Sequence, residues 1–283
     1  MQLITWNVQW FCGVDGKVDV RRVVDEARAM ADFNVLCLQE VAVHYPLLAG
    51  GADFDQVEQL RALLPGYQVF FGAAVDELGD DGRRQRFGNL IATRLPVLQV
   101  QHHALPYPAD GGVRTMPRMA TCVTLATSFG PVRIMTTHLE FYSTRQRMAQ
   151  TRALHALHAQ ACAHAHQPPL PDRDGSPFQG KTHTPELVLC GDFNFEPDAD
   201  EYTVLQQPTQ EPGVTRLHDA WTLQHGTQDR APTFRLFDRR YGPVPITSDY
   251  LFVSDGLRQR VRAVTVNLQS QASDHQPVLL TLA

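Results

Sequence analysis

A short apolar run placed directly before two polar side chains, in residues 187–198, constrains the fold of this chain more than any other feature. The run Leu187–Cys190 is typical of a strand buried on both faces, and Gly191 ends it. Asp192 and Asn194 follow two residues apart, so an extended backbone would point both side chains to the same face. A strand followed by an Asp/Asn turn would have the same sequence. The rest of the chain therefore decides between a turn and a chemical site.

Composition excludes several classes of protein. Of the 283 residues, 43% are hydrophobic and 19% are charged, which is typical of a globular chain and not of a disordered one. The formal net charge of −5 argues against a general nucleic-acid coat protein. Of the 25 basic residues only Lys17 and Lys181 are lysines. The net charge therefore does not exclude a local groove in which arginines bind phosphate groups.

We expect a single domain over residues 1–283, because no linker or internal repeat divides the sequence. No apolar run is long enough to span a bilayer, and the first residues enter a strand pattern without a signal peptide. The five cysteines are odd in number, scattered and without zinc-like spacing, as expected for reduced thiols. These observations predict a cytoplasmic protein with no membrane span, which we also expect to be a monomer.

The periodicity of the apolar residues predicts an α/β fold. Short apolar runs alternate with amphipathic stretches, and the chain opens strand–helix–strand. Three segments are expected to be irregular: a mobile surface loop at 76–86, a connection at 106–117 and a disordered loop at 167–185. Strands are predicted at 3–8, 34–39, 67–71, 87–93, 97–105, 118–126, 132–137, 187–190, 250–253, 261–267 and 277–282, and helices at 18–31, 54–64, 143–166 (with Ser143 as the N-cap), 200–205 and 217–223.

Polar clusters end five of the predicted strands or lie just past them, and a sixth cluster begins a strand. In α/β proteins sites are usually built at the carboxyl ends of the strands, so we expect these clusters to contribute to one site. The clusters are Thr5-Trp6-Asn7, Leu38-Gln39-Glu40, Thr137-His138-Leu139-Glu140, Gly191-Asp192-Phe193-Asn194, Ser248-Asp249-Tyr250 and Ser273-Asp274-His275.

The residue types in these clusters suit a hard metal ion. Mg²⁺ prefers oxygen ligands, usually one or two carboxylates, and keeps several waters that a substrate can displace. A zinc site would more often recruit cysteines or several histidines, and that pattern is missing from the sequence. Carboxylates come from Glu40, Asp192 and Asp274, and neutral amides come from Asn7 and Asn194.

Two histidines in the clusters add groups that can bind or protonate phosphate oxygens. These are His138 and His275, and Asp249 could orient a histidine as acids do in catalytic triads. His155 and His158 lie one helical turn apart, but no third ligand is evident, so a metal pair there is disfavoured. The histidines therefore favour phosphate contacts over a second metal site.

The clusters, in this order and at this spacing, resemble those of the endonuclease/exonuclease/phosphatase superfamily. The set Thr-Trp-Asn, Leu-Gln-Glu, Gly-Asp-x-Asn and Ser-Asp-His looks closest to that of the tyrosyl-DNA phosphodiesterase branch, and the resemblance extends from Thr5 to Pro277. It implies a four-layer α/β sandwich, in which two mixed β-sheets pack face to face with helices outside. Both sheets would then lead into one cleft.

The resemblance also implies a role for each matching residue. Glu40 resembles the direct ligand of a Mg²⁺ or Mn²⁺ ion, and Asn7 and Asp274 resemble further metal ligands. Asp192 resembles the residue that orients or deprotonates the attacking water. These residues would thus bring the cation and the nucleophile together.

The remaining matching residues would act on the phosphate group. His275, paired with Asp249, would stabilise a pentavalent, phosphorane-like transition state. This set suits a phosphoester, because a metal ion and cationic side chains must neutralise the charge that grows on the non-bridging oxygens. Phosphate contacts are implied for Asn194, His138 and Arg118.

Together the clusters and the resemblance predict a Mg²⁺- or Mn²⁺-dependent phosphoesterase, with a nuclease or DNA-end-processing phosphodiesterase as the leading hypothesis. The alternatives are a phosphomonoesterase or phospholipid-headgroup hydrolase acting on a small phosphorylated molecule, and a non-catalytic binding module with the same fold. An abasic endonuclease is disfavoured because no tyrosine-centred motif lies between Thr121 and Asp192, and a secreted sphingomyelinase because no signal peptide is seen. Loops at 42–53, 76–86, 106–117 and 167–185 are expected to select nucleic acid or a small phosphorylated substrate.

Overall fold

The computed structural model describes residues 1–172, 174–178 and 181–283, and the described chain folds into two β-sheets flanked by α-helices. The strands are β1 (Gln2–Asn7), β2 (Val35–Tyr45), β3 (Ala52–Asp55), β4 (Gln68–Leu78), β5 (Arg84–Thr93), β6 (Val97–Ala104), β7 (Met119–Thr127), β8 (Gly130–His138), β9 (Leu187–Asp192), β10 (Leu217–Asp219), β11 (Asp249–Ser254), β12 (Val261–Val266) and β13 (Val278–Leu282). The helices are α1 (Val20–Met30), α2 (Gln56–Leu63), α3 (Thr144–His166), α4 (Asp200–Leu205) and α5 (Ala220–His225), and short 3-10 helices occur at Gln9–Phe11 and Asp255–Arg260.

Each sheet is built around one parallel pair of strands. The first sheet has the order β12-β13-β1-β2-β5-β4, with β3 added beside β2, and its parallel pair is β1–β2. The second sheet has the order β10-β11-β9-β8-β7-β6, and its parallel pair is β8–β9. The other described pairings in both sheets are antiparallel. The carboxyl ends of two parallel pairs are thus available to build a site.

Alternation along the strands creates three apolar cores and therefore four layers. Leu3 of β1 lies in the core between the sheets, whereas the next residue, Ile4, lies in the core beneath α1 and α2. In β9, Val188 lies between the sheets, and Leu189 packs beneath α3 and α4. Both faces of these strands are buried, as expected for unbroken apolar runs. The predicted four-layer α/β sandwich is confirmed.

The predicted mobile loop at 76–86 is wrong. Most of this segment forms a β-hairpin, because β4 continues to Leu78 and β5 begins at Arg84. Its charged side chains pair across the strands, as Arg84 does with Asp76 at 2.8 Å. High charge therefore does not prevent strand pairing where both faces of a hairpin meet solvent.

Two further predictions of local structure need correction. Part of the predicted loop at 42–53 is strand, since β2 continues to Tyr45 and β3 begins at Ala52. The predicted helix at 217–223 begins as strand β10, and only the residues from Ala220 onward are helical. Such short strands are specified by their partners in the sheet, and local periodicity does not reveal them.

The predicted disordered loop at 167–185 includes residues 173, 179 and 180, which lie outside the described residues. The described residues of this segment contribute to none of the strands and helices named above. All five cysteines are buried and none of them forms a disulfide. In the described ranges, we find no helix with the length and apolar character needed to cross a membrane.

Gly191→Ala is expected to destabilise the fold, because Gly191 has φ +135° and an added methyl group would overlap the Thr137 carbonyl oxygen. The expected loss in the free energy of unfolding is at least about 2 kcal/mol. It would appear as a lower urea midpoint at an unchanged m-value. Gly111→Ala is the matched control, since its added methyl group meets open space and should change stability by less than about 0.5 kcal/mol. Equal midpoints for the two variants would contradict the close approach of β9 to β8.

Candidate active site

The carboxyl ends of the two parallel strand pairs meet at one place. The β1–β2 pair carries Asn7 and Glu40, and the β8–β9 pair carries His138 and Asp192. Asn7 Nδ2 joins the two sheets, because it donates both to Glu40 Oε1 at 3.1 Å and to Asp192 Oδ2 at 2.9 Å. The two sheets therefore contribute to a single cluster of side chains.

A cleft of ≈ 350 Å³ opens over this cluster. Seven of the nine predicted site residues line it, whereas Asn7 and Asp249 are buried behind the lining residues. Asn7 contacts the acids of the cleft from behind, and Asp249 contacts His275 in the same way. The seven lining residues are Glu40, Arg118, His138, Asp192, Asn194, Asp274 and His275.

Local backbone irregularities occur at two of these positions. The pairing of β2 with β5 shifts between Leu38 and Val41, and Glu40 within this bulge has φ 62°. Asn194, just past β9, has φ 52°. Bulges change the direction of side chains, and positive φ values in non-glycine residues concentrate at functional sites. The backbone is thus shaped to present Glu40 at the cleft and not within the sheet.

Asp192 lies at the centre of the cluster. Besides Asn7, its neighbours are His138 Nε2 and His275 Nε2, which lie 3.4 and 3.7 Å from Oδ2. Its other oxygen accepts the Asn194 backbone N–H at 3.0 Å. Burial raises the pKa of Asp192 to about 6, although the charge of His275 opposes this rise. A carboxylate with a pKa near neutrality is suited to accept a proton from water.

His275 is held as a cation between two carboxylates. Its Nδ1 lies 2.9 Å from Asp249 Oδ2, and its ring stacks on Phe234 with centroids 4.2 Å apart. Burial alone would lower the pKa of His275, but the charges of Asp249 and Asp192 outweigh burial and raise it to about 10. His275 can therefore donate a hydrogen bond to a negatively charged group in the cleft.

His138, in contrast to His275, is neutral. Burial holds its pKa well below the ordinary value, and the positive charges of Arg118 and His275 lower it further. Its contact with Asp192 is therefore that of a neutral imidazole. The cleft thus holds one cationic and one neutral histidine. The surroundings of the two rings shift their pKa values in opposite directions.

The acids Glu40 and Asp274 fit a divalent cation. Burial raises the pKa of Asp274 to about 6, with His275 opposing and Glu40 adding to the rise. Burial also raises the pKa of Glu40, although Asn7 and His275 oppose it. A hard cation with oxygen ligands would stabilise both acids as anions. The amide nitrogen of Asn7 faces the acids, whereas its oxygen accepts the Gln9 backbone N–H, so Asn7 holds the Glu40 carboxylate in place.

A second group of potential ligands lies deeper. Ligand atoms of Asp192, Asp249 and His275 all lie within 4.8 Å of one another. Both ring nitrogens of His275 face carboxylates in this group, so a metal ion bound to the ring would have to displace a proton held by two acids. The arrangement is therefore better suited to holding a proton than to binding a metal ion.

Arg118 lies in the cleft wall beside a buried acid. Its Nε donates to Glu140 Oε2 at 3.1 Å, while Nη1 is buried and has no hydrogen-bond partner among the described residues. An unpaired buried donor is costly, and a phosphate oxygen would satisfy it. Asn194 lines the same cleft, but its Nδ2 donates to the Leu139 carbonyl oxygen at 2.9 Å, which leaves only its second amide hydrogen for substrate.

Four residues that support the site were not predicted as site residues. Gln9 Nε2 donates to Asp274 at 2.8 Å, and Ser273 Oγ donates to the Asn7 carbonyl oxygen at 2.7 Å. Ser273 belongs to a predicted cluster and Gln9 lies two residues after Asn7, so proximity in sequence could have suggested both. Phe234 and Tyr241 come from the segment between α5 and β11, in which no sequence motif indicated a functional role. His158, one of the two histidines of the disfavoured metal pair, is hydrogen-bonded to Arg133 and Thr215.

The fold and the cluster define a class of protein, the phosphoesterases. The chain belongs to the endonuclease/exonuclease/phosphatase family, because the model of that family matches residues 4–275. Members of this family hydrolyse phosphate esters and generally depend on divalent metal ions. The resemblance inferred from the sequence clusters is thereby confirmed at the level of the superfamily. A search of curated proteins finds no matching sequence.

Solved structures share this fold at low sequence identity. An endonuclease/exonuclease/phosphatase from Beutenbergia cavernae is 24% identical with a TM-score of 0.69, over 100% of this chain and 72% of the other. A mannosyl-6-phosphatase from Bacteroides thetaiotaomicron is 16% identical with a TM-score of 0.67, over 100% and 99%. TDP2 from D. rerio, humanized by 14 mutations, is 19% identical with a TM-score of 0.64, over 100% and 98%. Since their names denote different activities, these similarities establish the fold and not a substrate.

In the metal-free protein His275 is expected to stay protonated at pH 8. Its folded pKa of about 10 lies above the ordinary histidine value of about 6.5. Its contribution to stability is therefore complete below pH 6.5 and is lost as the pH rises through about 10. Asp249→Asn removes a carboxylate and should lower the pKa of His275 by at least about one unit, measured from the imidazole C–H resonances in an NMR titration.

The matched control is Asp255→Asn, because Asp255 contacts His218 at 2.6 Å. This substitution should leave the titration of His275 unchanged. A midpoint for His275 at or below pH 7 in the unsubstituted protein would contradict the assigned charge state.

Proposed function

We propose that this protein hydrolyses phosphodiester bonds with the help of Mg²⁺ or Mn²⁺. The observation that carries the proposal is the position of Asp192 at the floor of the cleft, in contact with Asn7, His138 and His275. A buried carboxylate beside an imidazolium and near two further acids is the arrangement expected for activating water next to a phosphate group.

Glu40 and Asp274 would hold the cation, and Asn7 would orient Glu40 towards it. When bound, the cation would act as a Lewis acid on a phosphate oxygen. Gln9 holds Asp274 in place through its 2.8 Å hydrogen bond. The roles of these residues are proposals that follow from charge, burial and contact.

Different side chains would act on the attacking water and on the phosphate group. Asp192 would accept a proton from the water that attacks phosphorus, while the bond to the leaving oxygen breaks on the opposite side. His275 would donate a hydrogen bond to a non-bridging oxygen, and Asp249 would keep its ring protonated and fixed. His138 and Arg118 would contact the same phosphate group, one as a neutral donor and one as a cation.

The balance of charge favours a diester over a monoester. A phosphodiester carries one negative charge, whereas a phosphomonoester carries nearly two at neutral pH. The cleft already contains several acids, and one of its arginines, Arg118, is paired with Glu140. A doubly charged substrate would therefore meet more repulsion, which makes a phosphomonoesterase the weaker candidate.

A direct test compares bis(p-nitrophenyl) phosphate with p-nitrophenyl phosphate in the presence of Mg²⁺ or Mn²⁺. We expect faster turnover of the diester, and loss of turnover when a chelator is added and its return when the metal is restored. Faster turnover of the monoester would favour the phosphatase alternative. Absence of metal-dependent turnover on these esters and on a panel of nucleic acids would support a non-catalytic binding module.

Asp192→Asn is expected to lower kcat by about 10²–10⁴-fold, because the amide cannot accept a proton from water. Metal binding, measured by calorimetric titration with Mn²⁺, should persist. Asp198→Asn is the matched control, since Asp198 is exposed and lies outside the cleft lining. Activity of Asp192→Asn equal to that of this control would remove Asp192 from the mechanism.

Glu40→Gln is expected to weaken Mn²⁺ binding at least about tenfold, because it removes a negative charge from the proposed cation site. The dissociation constant would be measured by calorimetry in the full chain. The matched control is Glu211→Gln, which makes the same substitution at an exposed position. A Mn²⁺ titration of Glu40→Gln that overlays that of the control would overturn the assignment of Glu40.

A further inference from the structure

Cationic side chains are scarce in the cleft wall. Among the described residues that line the cleft, the arginines are Arg114 and Arg118, and the second is bound to Glu140. Duplex nucleic acid is normally bound through many phosphate contacts made by lysine and arginine. The cleft therefore lacks the usual means of binding a duplex by its backbone.

The arginines of the β4–β5 hairpin do not make up for this scarcity. The hairpin borders the cleft, since Val75 and Phe87 line it. Its arginines are paired with acids of the same face of the protein, which cancels their charge locally. The pairs are Arg83 with Asp53 and Asp81, Arg84 with Asp76, and Arg86 with Asp55.

Aromatic rings form a continuous part of the cleft lining. Phe141, Tyr142, Phe234 and Tyr241, here called the aromatic wall, all line the cleft. Ring centroids lie 4.7 Å apart for Phe141–Tyr142, 6.4 Å for Phe141–Phe234 and 6.1 Å for Phe234–Tyr241. Phe234 also stacks on His275. The aromatic wall therefore runs without interruption from the proposed phosphate site to the cleft mouth.

The outer rings of the aromatic wall remain open to solvent. Tyr142 is 48% exposed and Tyr241 is 44% exposed. Large aromatic side chains that stay exposed beside a concave site are typical of ligand contacts, and a planar ring with a polar tip suits stacking in water. A planar group that stacks on the aromatic wall would lie close enough to be part of the same molecule as a phosphate bound at His275.

We infer that the aromatic wall binds the base of an unpaired nucleotide whose phosphate lies at Asp192 and His275. This inference rests on the proposed phosphodiesterase function and names its substrate class. Base–aromatic stacking tolerates any base, because every base has a π-face, and it does not depend on cations. A paired base is covered on both faces within the duplex, so the preferred substrate is single-stranded.

The test uses two p-nitrophenyl phosphodiesters that differ only in the base. One is the 5′-ester of thymidine, and the other is the same ester of 1,2-dideoxyribose, which lacks the base. With Mn²⁺ and the full chain, kcat/KM should favour the thymidine ester about 5- to 150-fold, the range expected for one stacked base. Tyr142→Ala should reduce this ratio towards one, whereas Tyr142→Phe, which keeps the ring, should retain it.

Phe178→Ala provides the matched control, because Phe178 is 81% exposed and does not line the cleft. It should leave the ratio unchanged. If Tyr142→Ala folds poorly, Tyr241→Ala tests the aromatic wall instead, and it should also lower the ratio. Equal kcat/KM values for the two esters in the unsubstituted protein would overturn the inference, as would faster cleavage of duplex than of single-stranded oligonucleotides.

A binding measurement separates this inference from the proposed function. Thymidine 5′-monophosphate and 2-deoxyribose 5-phosphate would be titrated calorimetrically into the Mn²⁺-loaded protein. Tighter binding of the nucleotide, sensitive to Tyr142→Ala, would support the aromatic site even if no ester were hydrolysed. Hydrolysis of both esters without any preference for the base would instead support the phosphodiesterase and reject the aromatic site.

Discussion

Apart from Glu140, which is paired with Arg118, four carboxylates lie together at the cleft, and the rest of the structure holds them there against desolvation and mutual repulsion. They belong to Glu40, Asp192, Asp249 and Asp274, and three of them line the cleft. Taking even one such charge out of water costs several kcal/mol unless a partner compensates for it. His275 supplies one positive charge between two of the acids. The remaining imbalance is what gives the cleft its affinity for a divalent cation in the proposed mechanism.

The rigidity that this arrangement needs comes from the sheets. Asp192 ends a strand that is buried along its whole length, and Asn7 ends another. Because these strands pack in apolar cores on both faces, the acids cannot move apart to relieve their repulsion. The function proposed for the site therefore depends on the four-layer architecture, and not only on the motifs at its edge.

The parts of the structure that follow local rules could be predicted from the sequence. Buried strands such as Leu187–Asp192 and the capped helix after Ser143 are specified by nearby residues, and so the clusters at strand ends were recognisable. The stacking of Phe234 on His275 could not be predicted, because it joins an irregular segment to a distant cluster. For the same reason the arginine content did not exclude a basic groove, while long-range pairs such as Arg83 with Asp53 cancel much of that charge.

The pairing of β1 with β13 joins opposite ends of the described chain within one site. Trp6 Nε1 donates to the His275 carbonyl oxygen at 3.0 Å across 269 positions, and Gln9 contacts Asp274 across 265. Contacts of such long range form late, because the intervening chain must be ordered first. On the ribosome, the cleft would therefore stay incomplete until the strand after His275 has emerged and inserted between β12 and β1. A partly synthesised chain would lack the imidazolium and one acid, and under the proposed mechanism it would be inactive until synthesis is complete.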